Sequence, residues 1–159
     1  MLTKIALFTA GALVATASLS FSARDDKSAA KTAGWRPGLG EIMANNQRHH
    51  AALYFAGKGA NWELASFELK EIEEGFADAK AFHAMHEGVN VAELLDALGP
   101  PATKRLHEAI EKGDKSIFAE GFANLTLACN ACHAGARVPY IAIIEPTAPP
   151  ATNQKYDKR

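Results

Sequence analysis

Leu125-Thr126-Leu127-Ala128-Cys129-Asn130-Ala131-Cys132-His133 contains both cysteines of the chain, and a histidine directly follows the second. Upstream of it Ile117, Phe118, Phe122, Leu125 and Ala128 recur at helical spacing behind Asp114, an N-capping residue type. The motif is therefore predicted to ride on a helix that ends near Arg137, because Pro139 follows. Positions three and four apart share a helix face, so Cys129 can meet Cys132 and His133 around one planar ligand. C-x-x-C-H is the pattern of covalent c-type haem attachment. Each thiol would form a thioether with the porphyrin, and His133 would give the iron its proximal nitrogen.

A bare C-x-x-C has competing readings. A thioredoxin-like pair sits at a helix N-terminus after a strand, where the dipole lowers the thiol pKa. Here a long helical pattern precedes the cysteines, so the dipole has the opposite sign. A structural zinc site needs two further close ligands, and there is no second cysteine pair. A disulfide across three residues of a helix is strained, though it stays open as an alternative.

With 159 residues the chain has room for one domain with a real core. Lys4 followed by Ile5-Ala6-Leu7-Phe8-Thr9-Ala10-Gly11-Ala12-Leu13-Val14-Ala15 reads as a secretory signal over residues 1–22, with cleavage near Ser20-x-Ser22. A retained membrane anchor is the alternative, but the apolar run is short for a span. No later run is long and apolar enough to cross a bilayer, so the mature chain is expected in the periplasm, where c-type proteins receive haem. The formal charge of −1 shows no basic excess, and loss of Lys4 with the signal makes it more negative. That balance speaks against nucleic-acid binding.

Residues 23–37 are polar and aperiodic and read as a flexible leader, in which Trp35 is expected to plug the bundle end. Leu39, Ile42, Met43, Leu53 and Tyr54 mark a first helix ended by Gly57 and Gly59. Asn61 caps a second, with Trp62, Ala65, Leu69, Ile72, Phe76, Ala79 and His83 inward and Glu63, Lys70, Glu71, Glu74 and Lys80 on a solvated face. Asn90 with Glu93 makes a capping box for Val91 to Leu98. Gly99, Pro100 and Pro101 should then kink or divide the third helix before Leu106, Ala109 and Ile110. The fold class is therefore all-α: an antiparallel four-helix bundle over residues 38–137 with its haem between helices. Residues 138–159 are expected as an extended tail, laid over the bundle at first and frayed at its end; disorder throughout is the other reading.

What lies on the other side of the iron decides function. The first helix is the natural source, being adjacent to the fourth in an up-and-down bundle. Met43 and His50 share one stripe, while His49 is turned by about a hundred degrees and is expected to be solvated. His50 as sixth ligand would give a low-spin pair of imidazoles, Met43 would raise the potential, and an open site is the third option. His83 and His86 are expected on the second helix at i and i+3, a metal-capable spacing without a further ligand, and His107 shows no pattern.

With the haem motif in a C-terminal helix after three others, the chain resembles cytochrome c-prime and the class II c-type cytochromes. The likeness extends to Arg137, four residues past His133, where that family often has a basic residue beside the proximal ligand. It departs from the family at Ala136, where an aromatic is usual, and at Pro139. The chain is also similar to a group of exported single-haem proteins. That likeness rests on His50-Ala51-Ala52-Leu53-Tyr54-Phe55-Ala56-Gly57, Asn61-Trp62-Glu63-Leu64-Ala65-Ser66-Phe67-Glu68, Leu125-Thr126 and Asn153-Gln154. It implies haem c as cofactor and matches the group's histidine to His50 rather than His49.

Three functions follow as expectations. The first is single-electron transfer with a periplasmic redox partner protein; the second is gas binding (NO or CO) or sensing at an open distal site. The third, a small peroxidase, ranks last, since only His49 or Glu68 could serve as its acid–base group, and only if turned inward. Pairing of two copies through an exposed apolar helix face stays open.

Overall fold

The computed structural model describes residues 36–158, and the signal, most of the leader and Trp35 lie outside that range. Four helices follow one another: α1 (Leu39–Lys58), α2 (Trp62–His83), α3 (Val91–Lys112) and α4 (Lys115–Gly135). Between α2 and α3 a short ladder pairs β1 (Met85–His86) with β2 (Val89–Asn90). The fold is all-α apart from that hairpin.

Side-chain pairs give the helix directions. Asn46 donates to the Ile72 carbonyl, Lys80 pairs with Asp96, Arg105 with Glu120, and His50 meets Thr126. His49 likewise meets Glu68, and His107 meets Glu73. Within each helix pair the residue numbers run in opposite senses, so neighbours are antiparallel.

Leu53, Ala56, Ala65, Leu69, Ile72, Leu106, Ala109, Phe118, Phe122 and Leu125 form the main core. A second cluster of Ile42, Ala79, Val91 and Leu95 sits toward the other end, with Met43 and Cys132 against it. Burying stripes from all four helices supplies the cohesion that helices of this length lack alone.

The caps form where the sequence places them. Asn61 accepts from the Leu64 amide, Asn90 from Glu93, and Asp114 from Ser116 and Ile117. In the Asn90–Glu93 box the Glu93 carboxylate takes the Asn90 side-chain amide.

Three expectations need correction. The third helix is not divided: α3 runs unbroken through Pro100 and Pro101. Each proline removes one bond to the carbonyl four residues back, those of Asp96 and Ala97, and both residues lie on the exposed side, where water can serve them. The opposite face, Leu95, Gly99, Ala102 and Leu106, stays buried and holds the helix together. Secondly, His86 is not on the second helix with His83 but in the hairpin, which turns on Glu87 and Gly88 at φ 49° and 78°. Two left-handed central residues are what a tight two-residue turn needs. Thirdly, Gly57 does not end the first helix but lies within it; Gly59, the other glycine read as ending it, is its C-cap at φ −78°, and Ala60 beyond it takes φ 54°.

Residues 138–158 carry no helix or strand and turn back over the helices. Ile143 and Tyr156 are buried. The end is held rather than frayed: Lys158 donates its amide to the Gly59 carbonyl, and Tyr156 packs its ring near Phe55. A Cβ on Gly59 would come within 2.8 Å of the Asp157 backbone, so glycine stands there to let the chain's end approach.

Candidate functional site

α1 and α4 are joined by side chains at one end. Phe118 fills the space beside Gly57, and Phe122 lies against Tyr54 and His50. Toward the Cys129–His133 end a cleft with about 60 Å³ of room inside it opens between all four helices. Its walls are Met43, Asn46, Gln47 and His50 of α1, Ile72 and Phe76 of α2, Leu95, Leu98, Gly99 and Ala102 of α3, and Leu125, Ala128, Cys129, Cys132 and His133 of α4. Ile143 adds a wall from the C-terminal segment. Gly99, Ala102 and Ala128 are the small residues of its wall.

The cysteines are free and half-buried. Burial, with the neighbouring Cys132 thiol adding to it, pushes the Cys129 thiol up to about 11, and burial raises Cys132 as well. At neutral pH both are protonated thiols, the reverse of the activated thiolate that disulfide exchange needs.

His133 also faces the cleft, and its other ring edge is held from outside. Nδ1 lies 2.7 Å from the Ile141 carbonyl oxygen. A carbonyl only accepts, so Nδ1 carries the proton and Nε2 keeps its lone pair. Asn130, between the cysteines, fastens the same segment twice: its Nδ2 donates to the Ile143 carbonyl at 2.8 Å and its Oδ1 accepts the Ile143 amide at 2.7 Å. The motif thus carries both its ligand-type groups and the anchor of the strap over them.

His50 is 4 % exposed, and its ring lies 4.4 Å from that of Phe122. Its Nε2 is 2.8 Å from Thr126 Oγ1. Desolvation pulls its pKa down to about 4, so it is neutral near pH 7. Met43 faces the cleft one stripe position away, next to the Cys132 cluster.

His49 is not solvated. It is 7 % exposed, and Nδ1 donates to Glu68 Oε2 at 2.7 Å while Arg48 Nη2 donates to its Nε2 at 2.9 Å. α1 turns this residue toward α2, where a buried carboxylate satisfies it; each of the two would be costly alone. Neither His49 nor Glu68 is in the wall of the cleft.

Arg137 is exposed at φ 64°, just past the helix, and is not part of the cleft wall. His83 donates from Nε2 to the Pro37 carbonyl at 2.8 Å. His86 is on the hairpin, not on α2, and His107 pairs with Glu73. Among the described residues no group of three or more His, Cys, Asp or Glu side chains is placed to hold a metal ion by itself.

Sequence reasoning missed Thr126 and Asn130 as positioning groups and Ile143 as a wall. The signal was present for Asn130, a polar residue on a helix face otherwise committed to the motif. Comparison with protein-family models, with curated proteins and with solved structures finds no match to this chain.

Proposed function

We propose that the protein is an exported monohaem c-type cytochrome that exchanges single electrons with a periplasmic partner protein. The observation that carries this is the convergence of Cys129, Cys132 and His133 on one apolar cleft, with His133 Nδ1 tied to Ile141 so that Nε2 is free.

The residues present fit a haem. Two protonated thiols would hold it by thioether bonds, and His133 Nε2 would bind its iron. Apolar walls from four helices suit a porphyrin, and Ile141, by accepting from Nδ1, would make the imidazole more electron-rich and favour the oxidised state. Bound there, the haem supplies the ferric–ferrous couple. The chain's own part would be to orient His133, exclude water through Ile143 and the α2–α3 wall, and hold His50 in the same cleft.

Among the described residues no helix is long and apolar enough to cross a membrane. The export reading itself rests on the first 22 residues. Two copies could pair through an exposed apolar patch, and Leu127, Tyr140 and Ile144, all strongly exposed, are available for it.

A second reading, a gas-binding or sensing protein with an exchangeable sixth position, is favoured by one contact: His50 is hydrogen-bonded to Thr126 by the nitrogen that would serve as ligand.

Mass spectrometry of the exported, matured chain is the test. The expected result is one haem added through both cysteines, with loss of both free thiols. An intact dithiol, or a Cys129–Cys132 disulfide, in protein matured alongside a control cytochrome would overturn the proposal.

A further inference from the structure

Thr126 lies on α4, one turn before Cys129, and is partly buried against α1. Its hydroxyl has one proton. That proton is directed along the helix to the Phe122 carbonyl, 2.9 Å away, the back-bond usual for a helical threonine. Toward His50 Nε2, at 2.8 Å, the same oxygen must then act as acceptor. His50 consequently carries its proton on Nε2, and its lone pair sits on Nδ1.

Nδ1 of His50 has no hydrogen-bond partner among the described residues, yet no buried polar side-chain atom is left without one. It therefore keeps some accessible surface, and the space beside His50 is the cleft. The Phe122 ring, 4.4 Å away and tilted by 35°, backs the imidazole and limits its rotation. Nε2 is the sterically favoured nitrogen for binding a metal, because Nδ1 lies next to Cβ.

We propose that Thr126 is the positioning residue for His50: by accepting from Nε2 it fixes the tautomer, withholds that nitrogen from the cleft and keeps the iron's sixth position exchangeable. The inference rests on the haem reading above and concerns what occupies the sixth position, not whether the haem carries electrons. For His50 to bind iron through Nε2, the Thr126 bond must open and the proton must move to Nδ1 through water. One neutral hydrogen bond thus weighs directly against ligation.

The experiment compares Thr126→Val, nearly isosteric but unable to accept, with Thr126→Ser, which keeps the oxygen. Both are exported and matured, and haem content is first measured as the alkaline pyridine complex. Absorption and electron paramagnetic resonance spectra then report spin state. Wild type and Thr126→Ser are expected to contain high-spin ferric haem and to bind carbon monoxide when reduced. In Thr126→Val the ratio of low-spin to high-spin haem should rise about tenfold, the weight of one such bond. Adding His50→Ala to Thr126→Val should restore the high-spin spectrum.

Haem-loaded Thr126→Val with a wild-type spectrum overturns the role of Thr126 and leaves the cytochrome reading intact. So does a wild type that is wholly low-spin and refuses carbon monoxide. Absence of covalent haem from wild type removes both together. Should Thr126→Val fail to accumulate, Thr126→Ala provides the same loss of acceptor and is held to the same outcome.

Discussion

His50 and His49 are neighbours in sequence with opposite solutions to burial. His49 is satisfied by Glu68 and Arg48, whereas His50 stays neutral beside Thr126 and an aromatic ring. A histidine whose folded pKa is lowered from 6.5 to about 4 loses stability as acid is added. The sign follows from proton counting: between those values the unfolded chain binds the proton and the folded chain does not. Above pH 6.5 there is no effect, and below pH 4 the loss levels off at about 3 kcal/mol. Urea unfolding of the haem-free chain at pH 7, 5.5 and 4 should show that decline superimposed on carboxylate titration. His50→Gln should remove it, and a variant that declines as steeply as the parent would contradict the assignment.

Among the elements, α1 and α4 depend on a close approach that one glycine permits. A Cβ at Gly57 would clash with the tip of the Phe118 ring. In an isolated helix Gly→Ala stabilises by roughly 1 kcal/mol, so the usual expectation is a gain. Here overpacking, about 1–3 kcal/mol, should win, and Gly57→Ala should lower the urea midpoint. Phe118→Leu made in the same chain should return part of that loss; equal loss in single and double variants would mean the ring is not the cause. α3 is governed by the same competition between local preference and packing. Pro100 and Pro101 read locally as a break, yet their lost bonds fall on the exposed side while the inner face stays packed. The hairpin before α3 illustrates the reverse case, in which two left-handed residues at Glu87 and Gly88 settle the geometry within four residues.

Over the molecule as a whole, the segment after α4 ties the site to the rest. Asn130 and His133 hold it at Ile141 and Ile143, Tyr54 donates to Glu145, and Asn61 and Gly59 contact its end. Asn130→Ala should free the strap locally without unfolding the helices. Amide exchange at Ile143 should then speed up by about tenfold or more, while amides in the main core keep their protection. Uniform loss of protection would show instead that the strap is part of the cooperative core. Unchanged exchange at Ile143 would show that Asn130 does not hold it.

The helices, their caps at Asn61, Asn90 and Asp114, and the placing of Cys129, Cys132 and His133 on one face could all be read from the chain. These depend on spacing and on hydrogen bonds between residues three or four apart, which a sequence displays directly. The partners of His49 and His50, the anchoring of His133 by Ile141 and the docking of Tyr156 could not. They join residues far apart in the chain, and their free energy exists only once the helices have packed, when burial makes an unpaired nitrogen or carbonyl expensive. The order of residues therefore determined the apolar stripe along each helix, and only the packed molecule chose which polar groups, His49 and Glu68 among them, are buried with it and what each meets.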